Sequence, residues 1–149
     1  MKNYIILIVS SIFLFSSCEK MKNNRAERKL EGVWELVKSE YGDQEVDLTG
    51  RVQTLTFYDS NDKEYYEETE HNGLMTNSYN GFTYYIDFKY AVVEKGKELN
   101  LTMEFNSPQE ATIFPTSKAK LTKLNGDKFI MEAENADGFT SKFTFKRIK

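Results

Sequence analysis

Apolar residues in this chain recur at every second position far more often than at every third or fourth. Between residues 82 and 93, Phe82, Tyr84, Ile86, Phe88, Tyr90 and Val92 fall on one face, and Thr83, Tyr85, Asp87, Lys89, Ala91 and Val93 on the other. A period of two is that of a strand with one buried and one wet face. The alternation returns in Leu99, Leu101, Met103 and Phe105, and in Phe139, Ser141, Phe143, Phe145 and Arg147. Weaker runs cover residues 31–40, 51–59, 63–69, 117–124 and 127–134. Asn72-Gly73, Asn80-Gly81, Lys95-Gly96, Asn125-Gly126 and Asp137-Gly138 stand between the runs as hairpin signals. Asn-Gly and Asp-Gly supply the positive φ angles that a two-residue hairpin demands, so strands adjacent in sequence are expected to pair in space. The pattern predicts an all-β, up-and-down antiparallel sheet of about eight strands. Left flat, such a sheet has two open edges; closed into a β-barrel it has none. An eight-stranded barrel is just wide enough to be filled by side chains or to hold one small ligand.

The first residues break this pattern. Met1, Lys2 and Asn3 precede an apolar run from Tyr4 to Phe15, which ends at Ser16, Ser17 and Cys18. A charged start, a short apolar stretch and small residues at its end read as a secretory signal. Glu19 and Lys20 cut the run short of the roughly 20 residues that a spanning helix needs. The placement of Cys18 directly after two small residues resembles the lipobox of bacterial lipoproteins. That resemblance implies removal of residues 1–17, acylation (palmitate among the acyl groups) of Cys18, and a lipid-anchored protein of the cell envelope, at the outer membrane. The alternative is an ordinary secretory signal in which Cys18 is incidental. Residues 18–29 carry Lys20, Lys22, Arg25, Arg28 and Lys29 against Glu19 and Glu27, so they read as a basic tether. Such a tether lies on anionic headgroups or stays solvated and extended. The globular domain is expected over residues 30–149.

Composition narrows the chemistry. One cysteine and one histidine exclude an internal disulfide and the tetrahedral His/Cys zinc sites. A net charge of −3 and a pI near 5.3 argue against a nucleic-acid partner, which needs a positive surface. The sharpest charge cluster, Asp59, Asp62, Glu64, Glu67, Glu68 and Glu70 around Lys63, is read as a solvated edge strand. Its start, Asp59-Ser60-Asn61-Asp62-Lys63, fails as a calcium loop because a lysine occupies a ligand position and no glycine follows. His71, beside Asn72-Gly73, is read as a solvent-facing turn residue. No nucleophile elbow and no glycine-rich phosphate loop occur, so no cofactor, metal or enzymatic activity is expected.

One further motif opens the body. In Leu30-Glu31-Gly32-Val33-Trp34 the only tryptophan follows a glycine by two residues. This is similar to the Gly-x-Trp signature of lipocalins and of the lipocalin-like domains of bacterial lipoproteins. The resemblance implies that Trp34 closes the base of the barrel and that a basic residue of the last strand, here Arg147, stacks over it. Tyr84, Phe88, Tyr90, Met103, Phe105, Met131, Phe143 and Phe145 are expected to face inward, and the first five with Phe143 are the candidate ligand-binding residues. By the resemblance, the protein binds a small hydrophobic ligand without catalysis. The alternative is a filled barrel that serves as a structural or protein-interaction module of the envelope, meeting a protein partner through segment 59–70 or the loop 106–116. The latter, with Pro108 and Pro115, is expected at the barrel mouth.

Overall fold

The computed structural model describes residues 18–58, 71–104 and 117–148. The expected edge strand at 63–69, segment 59–70, Phe105, the loop 106–116 and the signal segment lie outside the described residues. A helix, α1, spans residues 18–30. It leads into nine strands: β1 (Gly32–Tyr41), β2 (Gln44–Glu45), β3 (Arg51–Phe57), β4 (His71–Tyr79), β5 (Phe82–Val93), β6 (Glu98–Glu104), β7 (Ser117–Leu124), β8 (Lys128–Glu134) and β9 (Thr140–Ile148).

Every pairing is antiparallel and follows chain order from β3 to β9, with β1 joining β3 on one side and β9 on the other. β1, β3 and β4 to β9 thus form a closed eight-stranded up-and-down barrel, and the two-residue β2 is a flap on β1. The Trp34↔Arg147 and Trp34↔Leu55 pairs place the start of β1 between the end of β9 and the end of β3. Following the registers around, one end of the barrel gathers the start of β1, the 94–97 and 125–127 turns, Tyr58 and His71. The other gathers the 42–50, 80–81 and 135–139 connections and the adjoining ends of β6 and β7. We call the first the closed end and the second the mouth.

Local chemistry accounts for the turns. Tyr79 pairs with Phe82, leaving Asn80 (φ 50°) and Gly81 (φ 84°) as a two-residue loop whose positive φ angles match the strand twist. Asn125 closes its turn through its side-chain oxygen, which accepts from the Asp127 and Lys128 amides. Bulges at Leu36/Lys38 and Leu121/Lys123 let β1 and β7 bend around the barrel. Asn72-Gly73, in contrast, is no turn: it lies inside β4. Gly73 is there because a Cβ would sit 2.2 Å from the Phe88 ring and 2.7 Å from the Thr56 carbonyl oxygen.

The basic tether expected over 18–29 is a helix that packs on the barrel. Ala26, Glu27 and Leu30 are buried, and Asn23 is half-buried on the same arc. Leu30 joins Trp34, Phe57, Tyr90, Phe129 and Phe145 in the core. Four groups fasten α1 across the closed end. Asn23 Oδ1 accepts from the Gly96 amide at 2.8 Å, and Glu27 Oε1 lies 3.5 Å from the Val92 amide. His71 Nε2 is 3.4 Å from Glu27 Oε2, and Arg147 donates to the carbonyl of Lys29. The 94–97 turn is shaped to receive the helix. Glu94, Lys95 and Gly96 all have positive φ, and a Cβ on Gly96 would come within 3.1 Å of Ala26 and 3.2 Å of the Lys22 carbonyl. At roughly 1 kcal/mol or more for each non-glycine residue, that backbone is held by what it contacts.

Candidate functional site: two halves of the barrel interior

Inward-facing positions divide into two sets by depth. Toward the closed end the side chains are dry: Trp34, Leu55, Phe57, Met75, Phe88, Tyr90, Leu99, Phe129 and Phe145 are each at most 1% exposed. Their rings pack edge to face, with Trp34 on Phe129 at 4.9 Å and Phe57 on Tyr90 at 4.9 Å, while Phe129 stacks on Phe145 at 4.6 Å. Such pairs add about 0.5–1.5 kcal/mol beyond area burial.

Arg147 seals this end. Its guanidinium carbon lies 4.2 Å from the centre of the Trp34 ring, and its nitrogens donate to the carbonyls of Gly126, Lys29 and Glu31 at 2.6–2.7 Å. A cation over indole contributes about 0.5–2 kcal/mol, more as it is desolvated. Gly32 belongs to the same device: its φ is +115°, and a Cβ there would come 2.5 Å from Arg147 Nη1. The Trp34 indole N–H, which cannot be buried unpaired, donates to the Leu30 carbonyl at 2.6 Å. The structure therefore brings Gly32, Trp34 and Arg147 together.

The six candidate ligand residues separate. Phe88 and Tyr90 belong to the dry half: Phe88 fills the space over Gly73, and Tyr90 packs on Phe57 while its hydroxyl donates to the Tyr58 carbonyl at 3.2 Å. They are packing residues, out of reach from the mouth. Met103 and Phe143 are half-buried against the top of the core, together with Met131. Tyr84 stands further out and is exposed, and Phe105 lies outside the described residues.

Polar positions that sequence reasoning passed over share this upper layer. Gln53 pairs across the sheet with Asn77, Asn77 with Tyr84, and Ser39 with Phe143. Gln53 donates to the Met75 sulfur at 3.2 Å, a weak acceptor for an amide. At the rim, the Arg51 guanidinium lies 5.1 Å from the centre of the Tyr79 ring, and Tyr41 donates to Asp137 while its ring packs on Phe139. The Asp137 carboxylate holds the Tyr41 hydroxyl above its usual pKa. Alternation marks Gln53 and Asn77 as inward, Ser39 turns inward only past the bulge at Leu36/Lys38, and only the registers say which end these residues occupy.

His71 is neither a turn residue nor free in solvent. It opens β4, meets Glu27 of α1, and its ring lies 5.4 Å from that of Tyr90. The hydrogen bond to the Glu27 carboxylate raises its pKa, burial opposes that rise, and the charges of Glu27 and Glu31 add to it. Among the described residues no group of three or more His, Cys, Asp or Glu side chains could hold a metal ion. No helix among them is long and apolar enough to cross a membrane.

No protein-family model matches the chain, and no curated protein does. Solved structures do match. The redesigned β-barrel b11L5F_LGL superposes with a TM-score of 0.51 at 14% identity, covering 84% of this chain and 96% of that one. The redesigned β-barrel mFAP1, bound to DFHBI, gives 0.50 at 14% identity, covering 83% of this chain and 99% of that one. At this identity the likeness concerns the fold alone, and it agrees with the closed barrel described above.

Proposed function

We propose that this protein is a non-catalytic, lipid-anchored lipoprotein of the cell envelope, at the outer membrane, whose lipocalin-like barrel takes a small hydrophobic ligand from its mouth. The observation that carries the ligand reading is the half-covered layer above the aromatic core. There the half-buried Met103, Met131 and Phe143 are mixed with half-buried Gln53 and Asn77, beside the buried Ser39. Apolar walls with a few polar groups are what small-molecule sites are made of. Gln53, engaged by a thioether, has donor and acceptor capacity for a ligand carbonyl or hydroxyl. The anchor reading is supported by the apolar run that ends at Phe15, the two serines after it, and the exposure of Cys18.

The test is native mass spectrometry of the full chain isolated gently from cells, with an organic extract analysed alongside. A stoichiometric adduct, lost in Met103→Trp, is expected. A clean apo mass with no uptake of added hydrophobic dyes would overturn the ligand reading. In cells, Cys18→Ala is expected to abolish stable partition into membranes, and unchanged partition would overturn the anchor.

A filled barrel acting as an interaction module is the second reading. It is favoured by the β4–β5 hairpin, where Phe82 is 80% exposed beside exposed Tyr79, Tyr84 and Tyr85.

A further inference from the structure

The arc of α1 opposite its buried side has no partner among the described residues, and its composition is specific. At 100° per residue, Asn23, Ala26, Glu27 and Leu30 fall on one arc and face the barrel. Met21, Arg25 and Arg28 fall opposite, flanked by Lys22 and Lys29, and all five are exposed, Met21 by 68%. The outer arc is thus four cations around one apolar side chain. The chain outside the structure bears on what covers it. Cys18 follows the end of the apolar run by three residues and is itself helical. The contacts that lock α1 begin at Lys22 and Asn23, so about 6 Å of helix separates Cys18 from the docked part.

We propose that the outer arc of α1 rests on an anionic lipid surface, so that the barrel stands on its closed end and its mouth opens away from the bilayer. This rests on the anchor reading for the attachment at residue 18 but concerns a different surface. Cations beside a leaflet of negative lipid are attracted within a Debye length, and Met21 at the centre of the arc enters the interface as they settle on headgroups. An anchor on a flexible leash would leave the barrel free to turn. Here Asn23, Glu27 and Arg147 tie the helix to β5, the 94–97 turn and β9, and orientation follows from the lock.

The test uses the full, membrane-extracted chain in vesicles of phosphatidylcholine alone or in equal mixture with phosphatidylglycerol. A fluorophore is placed on a new cysteine at Asn24, beside the outer arc, or at Thr83, near the mouth, and a lipid-borne quencher reports proximity. The Asn24 label is expected to be quenched severalfold more in the anionic vesicles, the Thr83 label in neither. Arg25→Gln with Arg28→Gln, or high salt, should remove the difference. A quenched Thr83 label, or an Asn24 label indifferent to lipid charge and to the double substitution, overturns the proposal. Failure of the anchor shows separately, as a chain that does not float with neutral vesicles; binding to anionic vesicles in that case would still support the contact of α1.

Discussion

The two ends of this barrel are built to different rules. At the closed end the aromatic side chains Trp34, Phe57, Tyr90, Phe129 and Phe145 are dry, the one buried indole N–H is paired, and the arginine over it directs its donors to three carbonyls. At the mouth the inward layer is half-covered, and Gln53, Asn77 and Ser39 break the apolar wall. The first arrangement maximises packing, since rings in van der Waals contact on all sides gain both burial and dispersion. The second leaves that gain uncollected, which is what a surface kept for another molecule looks like. Stability is therefore expected to reside at one end and recognition at the other.

The sharpest way to break the comparison is a matched pair of truncations. Phe129→Ala removes a ring enclosed by Trp34, Phe57 and Phe145, and is expected to cost about 3–5 kcal/mol, lowering Tm by roughly 10 °C or more. Phe143→Ala, one layer up, removes the same atoms from a half-covered site and is expected to cost about 1–2 kcal/mol. Thermal melts of the two variants decide it; equal losses would mean that the interior is one uniform core.

Arg147→Ala tests the seal. It deletes the cation over Trp34 and leaves three carbonyls short of a donor, so a loss of about 3 kcal/mol is expected. Arg147→Lys keeps the charge but not the fork, and should recover less than half. An unchanged Tm for the alanine variant would show that the closed end holds without it.

Much of this was legible from residue order, and the exceptions have physical causes. The face formed by Ile86, Phe88, Tyr90 and Val92 follows from alternation because one face of β5 is buried and a slip by one residue would expose it. Asn80-Gly81 is readable because the turn itself requires positive φ at both positions. Asn72-Gly73 misleads because its glycine answers to a ring on the next strand, and nothing local announces that. The helix α1 escapes notice because two of the four residues on its buried arc, Asn23 and Glu27, are polar, so no apolar stripe betrays it. Depth escapes too: Tyr84 and Tyr90 share one face, and only the registers put one at the mouth and the other in the core. Gly73→Ala sharpens that lesson. The added methyl meets Phe88 and the Thr56 backbone, and a loss of about 1–3 kcal/mol is expected from that crowding alone, since the φ of Gly73 is not positive.

The smallest effect concerns the helix alone. His71 begins its titration from an ordinary value near 6.5, and its hydrogen bond to Glu27 raises that value in the folded chain. A group with a raised folded pKa contributes its full stabilisation below the unfolded value and loses it as pH climbs through the folded one. Protonated His71 thus holds Glu27, and with it α1, against the closed end below its ordinary value, and the hold weakens as pH rises through the raised one. Because the pair is only partly buried, the change is expected to be about 1 kcal/mol or less. Global melts will barely register it. Hydrogen exchange at the α1 amides will: protection there should fall as pH rises from below the ordinary histidine value through the raised one, once intrinsic rates are corrected, while β8 and β9 stay unchanged. His71→Phe should flatten the dependence, and a flat profile in the unsubstituted chain would mean that Asn23, Leu30 and Arg147 hold the helix unaided.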